Sequence, residues 1–226
     1  MNVLEVRNLN YSYPDGEGKR IIFDDCNISF KTGKFYAILG DSGSGKTTFL
    51  SVIAGLDKKY EGQILYGGKE IQEIGLDKYR RSGVSMIFQS YNLIPHLNAI
   101  ENCMVAMDIS SNVKVLDKNK VLQLLDKYGI DEKKAKRKVN SLSGGEQQRV
   151  AIVRTILTES KIIIADEPTG NLDQNASQNI IDLFVRLAHE QNKCVIMVTH
   201  NQKLAEYADI RYVIDQKEKK MINMED

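Results

Sequence analysis

Eight residues, Gly40-Asp41-Ser42-Gly43-Ser44-Gly45-Lys46-Thr47, fit the pattern G-x-x-x-x-G-K-[ST], and each residue type has a task in holding a polyphosphate. The glycines let backbone N–H groups wrap a β-phosphate, and a helix opening behind them adds a favourable dipole. The Lys46 ammonium reaches the β- and γ-phosphates, and the Thr47 hydroxyl offers a hard oxygen to Mg²⁺. A second oxygen set closes the run IIIADEP at residues 162–168. There Asp166 suits a direct or water-mediated Mg²⁺ contact, and Glu167 suits polarising an attacking water. His200 ends VIMVTH, where it could touch a γ-phosphate or orient the water, or be only a polar residue finishing a strand. Gln89, after GVSMIF, is an amide that could coordinate Mg²⁺ or water, or simply face solvent.

A second phosphate holder is written into NSLSGGEQQRVAIVRT, residues 140–155. Ser143, Gly144 and Gly145 offer a hydroxyl, unobstructed amides and a helix dipole, which suits a γ-phosphate. The same residues read equally well as a Ser N-cap with Glu146 closing a capping box. One site has no need of two helix N-termini from distant segments. A head-to-tail pair of chains has, because the second loop of one copy closes over the nucleotide held by the first loop of the other.

The elements that must position these residues alternate. Residues 35–39, 84–88, 162–165 and 195–199 are short apolar runs of the kind found in buried parallel strands. Residues 46–54, 147–157 and 176–189 carry apolar positions at helical spacing. The pattern predicts an α/β layered fold with a mostly parallel sheet and a ligand at the carboxyl ends of its strands. Before the first loop, residues 3–13 and 21–30 read as antiparallel strands joined by the turn-forming PDGEG, a small side sheet. From 91 to 140 the strand signal disappears, and KVLDKNKVLQLLDKYGIDEKKAKRKVN has helical periodicity with an excess of lysine. A mostly helical insertion is expected there.

Bulk properties narrow the function. The 226 residues are 42% hydrophobic and 27% charged, with 31 basic against 30 acidic side chains and a formal charge of +1. No global field recruits nucleic acid or an anionic membrane. Cys26, Cys103 and Cys194 are widely scattered with no C-x-x-C spacing, so they are expected to be reduced core residues of a cytosolic protein. The start MNVLEVRNLN has no basic region followed by an apolar run, and no stretch has the length to span a bilayer. The chain is expected neither to be exported nor to cross a membrane alone.

Taken in order, GDSGSGKTT, Gln89, LSGGEQQR, IIIADEP, NLD and VTH resemble the complete motif set of an ATP-binding cassette (ABC) ATPase subunit, over essentially the whole chain. The resemblance implies a P-loop NTPase core with a small antiparallel β subdomain and an inserted α-helical subdomain. It implies one ABC ATPase domain over 1–226, with a catalytic core at about 1–90 and 159–226 and a helical subdomain at about 91–158. By this likeness ATP is held by Gly40, Asp41, Ser42, Gly43, Ser44, Gly45, Lys46, Thr47 and Thr48, with Tyr13 stacking on adenine, although Tyr11 is close enough to compete for that role. Gln89 is the Q-loop glutamine, Ser143, Gly144 and Gly145 the signature loop, Asn171, Leu172 and Asp173 the D-loop, and His200 the switch histidine. Catalysis falls to Glu167, His200, Gln89 and Lys46, Mg²⁺ to Thr47, Gln89 and Asp166, and contact with the twin's nucleotide to Ser143, Gly144, Gly145 and Asp173.

FQSYNLIPHLNAIEN, LSGGEQQRVAI and DEPTGNLD resemble the short ATPases of the macrolide-exporter, lipoprotein-release, cell-division and antimicrobial-peptide-resistance branch. The partner this implies is a few-helix permease with a large extracytoplasmic domain. It would be contacted near residues 89–97, with the ATPase homodimer at the cytoplasmic face of the cell membrane. The apolar run 91–97 is expected to form part of a groove for a permease helix. Glu146 stands where the wider family most often has glutamine, and Val153 and Thr155 where alanines are usual. Two rivals were weighed. A soluble ABC ATPase acting on nucleic acid has only KKAKRK, residues 133–138, in its favour, and a solvated helix face explains that run better. A small-molecule kinase or GTPase would lack a use for LSGGEQQR, and no N-K-x-D guanine motif is present.

Overall fold

The computed structural model describes residues 2–16, 18–170 and 172–225. The chain opens with two long strands, β1 (Asn2–Asp15) and β2 (Gly18–Lys31), paired antiparallel from Asn2↔Lys31 to Asp15↔Gly18. Then come β3 (Lys34–Leu39), α1 (Lys46–Ile53), β4 (Glu61–Tyr66), β5 (Lys69–Glu70), α2 (Ile71–Ile74), α3 (Leu76–Ser82) and β6 (Val84–Ile87). A helical stretch follows: α4 (Ala99–Ile109), α5 (Lys118–Lys127), α6 (Glu132–Ala135) and α7 (Gly144–Leu157). The chain returns through β7 (Ile162–Asp166), α8 (Gln174–His189), β8 (Cys194–Val198), α9 (Gln202–Ala205), β9 (Ile210–Asp215) and β10 (Lys220–Asn223).

Two sheets result. The larger has the order β10-β9-β3-β8-β7-β6 and is parallel except for β10. The smaller, β2-β1-β4-β5, is antiparallel throughout. The central strands of the larger sheet are apolar on both faces because both are covered, as expected for parallel strands. Successive residues alternate between two cores. Tyr36, Ile38, Ile162, Ile164, Cys194, Ile196 and Val198 join α1 and the inner face of the small sheet. Phe35, Ala37, Ile163, Ala165, Val195 and Met197 join α8. Helix α1 is thereby enclosed between the two sheets, with Phe49, Leu50, Val52 and Ile53 buried.

A third core belongs to the helical stretch, where Ile100, Cys103, Met107, Val121, Leu125, Ile130 and Val139 meet Val150, Val153 and Leu157 of α7. Its opposite side, through Ile152, reaches the core under the main sheet. All three cysteines are buried and free. Burial pushes the Cys103 thiol up to about 12, which suits an inert core side chain.

The expected strands and helices appear, with shifted ends. Helix α7 starts at Gly144, earlier than the expected 147, because Ser143 and Glu146 form the full reciprocal capping box and carry two glycines into its first turn. Helix α8 likewise begins at Gln174, after Asp173 accepts the Ala176 N–H at 2.8 Å. No strand forms between 91 and 140, only an isolated bridge from Asn98 to Lys138. Strands β4, β5, β9 and β10 have no counterpart among the sequence expectations. They are mixed or exposed segments, as in β4, where Glu61, Gly62 and Gln63 are exposed and only Ile64 and Leu65 are buried, so their apolar signal is weak.

Candidate active site

The motifs converge because of where they sit on the strands. The phosphate loop follows β3, Gln89 follows β6, Asp166 ends β7, and His200 lies just beyond β8. All four strands are parallel members of one sheet, so their carboxyl ends open on the same side, where ligands bind in such sheets.

A cleft of about 370 Å³ lies there, lined by Tyr13, Arg20, Ile22, Ser42, Gly43, Gly45, Lys46, Thr47, Thr48, Gln89, Asp166 and Glu167. Its floor is the phosphate loop. Gly45 takes φ +105°, and a Cβ there would lie 2.5 Å from Ile22 Cγ2, so only glycine turns the chain into α1 against the small sheet. No side chain caps α1, so its first amides remain available to an anion. The Lys46 ammonium donates to the carbonyls of Gly40 (2.7 Å) and Asp41 (2.8 Å), which holds the charge over the loop. Ser44 is buried. Its N–H donates to the carbonyl of exposed Asp41 at 3.2 Å, and of the expected phosphate holders Gly40, Asp41 and Ser44 do not line the cleft.

Thr47 Oγ1 donates to Asp166 Oδ2 at 3.4 Å. Burial, then the neighbouring Glu167, raises the Asp166 carboxyl above the ordinary range, with Thr47 and Lys46 opposing. A hydroxyl, a carboxylate and the Gln89 amide in one cleft make a set of hard oxygen donors that fits Mg²⁺. A divalent cation would also favour the ionised form that burial disfavours.

Glu167 follows Asp166 with φ +46°, a left-handed turn that ends the strand abruptly. Its side chain is only 14% exposed, and His200 Nδ1 lies 3.0 Å from its Oε1. His200 is 73% exposed and touches the cleft only through Glu167. The two share a separate hollow with Thr169, Gly170 and Leu172.

Ser143, Gly144, Gly145 and Asp173 do not line the phosphate cleft. Gly145, Arg149, Leu172 and Asp173 instead border a hollow between α7 and α8, so the signature loop and D-loop are brought to each other and kept apart from the phosphate loop of the same chain. Asn171 lies outside the described residues.

Between the two aromatics considered for adenine, burial discriminates. Tyr11 is 4% exposed and donates to Asp57 at 2.6 Å. Tyr13 is 43% exposed at the cleft edge, with its hydroxyl 3.0 Å from Thr48 Oγ1. Arg20 was missed by the sequence reading. It lines the cleft from β2 and donates to the Gly43 carbonyl at 3.3 Å, and only the pairing Tyr13↔Arg20 brings it there.

An apolar groove of about 450 Å³ runs between α3, β6 and α4, bordered by Leu56, Met86, Phe88, Ile94, Val105 and Ile109. Of the run 91–97, only Asn92 and Ile94 line it. Leu93 packs into the helical core, Leu97 accepts the Val139 N–H, and the Tyr91 hydroxyl lies beside Gly144. The expected share of Tyr91 and Leu97 in the groove is therefore corrected. Residues 133–138 lie on and after α6 as a largely solvated face with Lys136 paired to Glu132 and Lys134 to Glu146, and nothing favours a nucleic-acid role.

Comparison with known proteins agrees with this geometry. A family model described as ABC transporter matches residues 23–170. The chain is 48% identical over 210 residues to the ABC transporter ATP-binding protein YclH of Bacillus subtilis, covering 93% of this chain and 92% of that one. It is 39% identical to the lipoprotein-releasing system ATP-binding protein LolD of Rickettsia felis, covering 93% and 94%. An ATP-binding cassette solved as a dimer in a post-hydrolysis state bound to ADP and phosphate superposes with a TM-score of 0.87 at 32% identity, over 98% of both chains. With the motifs gathered at the carboxyl ends of one parallel sheet, these matches establish that the chain belongs to the ABC transporter family, as an ATP-binding, ATP-hydrolysing subunit of a membrane transporter.

Proposed function

We propose that two copies of this chain close head to tail over two Mg-ATP and drive a separate permease. The observation that carries the proposal is the division of the site. Tyr13, Ser42, Gly43, Gly45, Lys46, Thr47, Thr48, Gln89, Asp166 and Glu167 share one cleft, while Gly145 and Asp173 border another hollow of the same chain. The signature loop therefore meets a γ-phosphate only across an interface. Tyr13, exposed at the cleft edge, stacks on adenine, and Lys46 and the amides of 40–48 hold the phosphates.

Glu167 accepts a proton from the attacking water, and His200, bonded to its carboxylate, holds that carboxylate in place. Thr47, Asp166 and Gln89 would hold Mg²⁺, which would neutralise charge on the phosphates when bound. The Ser143 hydroxyl and the α7 dipole of the partner copy add stabilisation for the charge that develops on the γ-phosphate. Loss of the γ-phosphate removes the contacts that join the copies, so the pair opens.

Residues 1–226 act as one ABC ATPase domain, with about 91–158 moving as a helical subdomain, a division supported by the separate core around α4, α5 and α7. The groove beside α4 takes a helix of a few-helix permease of the kind expected for this branch, placing the chain at the cytoplasmic face of the membrane. Exposed Leu56, Val105 and Ile109 support it.

Light scattering of Glu167→Gln tests the core of the proposal. Mg-ATP should double its mass, and Ser143→Arg in the same background should abolish the doubling. A mass that stays monomeric in the complete complex with its permease as well would sink the two-copy site. Ile94→Glu with Ile109→Glu should retain ATP binding but lose permease-dependent ATPase in reconstituted vesicles, and unchanged coupling would remove the groove assignment.

A further inference from the structure

The turn after Gln89 is held in an unfavourable conformation. Tyr91 and Asn92 take φ of 61° and 45° in succession, the left-handed region that non-glycine residues seldom occupy. Asparagine tolerates it, whereas a bulky aromatic does so only when its surroundings over-determine the backbone. Within the turn the Tyr91 N–H donates to the Phe88 carbonyl at 3.0 Å, the Asn92 N–H to that of Ser90 at 2.7 Å, and the Ser90 hydroxyl to Asn92 Oδ1 at 2.9 Å.

Both carbonyls of the turn are taken by a single side chain. Arg154 donates through one terminal nitrogen to Asn92 O at 2.5 Å and through the other to Tyr91 O at 2.9 Å. Arg154 belongs to α7, the helix whose first turn is the signature loop. Tyr91 returns the contact at the far end of that helix, where its hydroxyl lies 3.2 Å from the place a Cβ on Gly144 would occupy. Tyr91 thus runs along α7 with its carbonyl at Arg154 and its ring tip at the first turn. The same Arg154 and Asn92 border the apolar groove.

We propose that Arg154 is a positioning residue, and that it straps the turn carrying Gln89 onto the signature helix so that the two move as one body when the groove is occupied. A planar fork matches two carbonyls in one geometry, which a lysine ammonium does not. The functional consequence rests on the two-copy reading above. Without the strap the turn relaxes out of its left-handed conformation, Tyr91 leaves Gly144, and the signature loop is delivered to the partner's nucleotide less often.

The test separates the strap from that reading. In the isolated chain, Arg154→Ala should speed amide hydrogen exchange at Tyr91 and Asn92 by about tenfold, with Arg154→Lys in between. In the Glu167→Gln background, Arg154→Ala should raise the ATP needed for half-maximal mass doubling by about tenfold, with Arg154→Lys in between. Fluorescent mant-ATP binding to the monomer should stay within about threefold, because the cleft residues are untouched. Unchanged exchange at Tyr91 and Asn92 in Arg154→Ala, or an Arg154→Lys variant that matches the unsubstituted chain in both readouts, overturns the strap. If Glu167→Gln itself never doubles, the two-copy reading falls, and amide exchange alone decides whether the strap exists.

Discussion

Helices α1 and α7 both open behind glycine-bearing loops, and they are finished in opposite ways. At α1 the N-cap is Gly45, with no side-chain cap and the Lys46 ammonium held over the loop by two carbonyls. At α7, Ser143 accepts the Glu146 N–H, Glu146 accepts the Ser143 N–H at 2.8 Å, and Lys134 lies 3.1 Å from the same carboxylate. The first terminus leaves its amides to a ligand and supplies its own cation. The second satisfies itself and keeps only the Ser143 hydroxyl proton and the amides of Gly144 and Gly145 to offer. A loop of the first kind binds by itself, whereas one of the second kind completes a site that something else brings to it. In the proposed head-to-tail pair, nucleotide affinity would be a property of one chain and closure a property of two.

The largest effect that would break this contrast is at Lys46. Lys46→Ala should weaken ATP binding to the monomer by about 100-fold or more, since charge-assisted bonds to two phosphates are lost. A titration with mant-ATP reads it, and near-normal affinity would mean that the α1 terminus is not the primary holder. Asp166→Asn should stop hydrolysis yet raise the Tm of the nucleotide-free chain by about 2 °C. The reason is that burial disfavours the ionised Asp166 in the folded chain. Its raised pKa makes the destabilisation present at pH 7 and absent once the pH falls below the unfolded value near 4. The Tm gain should therefore vanish as the pH is lowered toward 4, and a gain that persisted there would point to packing instead of charge.

Ser143→Ala should cost about 1 kcal/mol of stability through loss of the cap, visible in urea unfolding, while leaving monomer ATP affinity unchanged. A matching loss of monomer affinity would place the second loop in its own chain's site. Smallest of all, Lys134→Gln should change stability by at most about 0.5 kcal/mol, because the pair is partly exposed. Its effect on the ATP dependence of mass doubling, if larger than that of Lys136→Gln, sharpens the role of Glu146 in the second terminus.

Local order carried much of the fold. Alternating apolar runs marked the central strands because those strands are covered on both faces, and GDSGSGKT announced its own turn because Gly45 has no alternative against Ile22. The edges escaped notice. β4, β5 and β10 each leave half of their residues exposed, so no apolar period distinguishes them from loops. In the site, Asp166 and Glu167 were legible because two acids end an apolar strand. Arg20 was not, since an arginine beside a lysine at the exposed start of β2 carries no local mark.

By itself, the sequence determined the chemistry of each loop: which residues offer amides, cations, hydroxyls and carboxylates, and in what local order. These are relations over a few positions, set by helix and strand periods and by the conformations that glycine permits. Only the tertiary structure decided which loops share a cleft, that Tyr13 is exposed and Tyr11 buried, and that Tyr91 lies along α7 and not in the groove. Those outcomes depend on strand order and on which faces are covered, and residues far apart in sequence become neighbours only when the sheet is assembled.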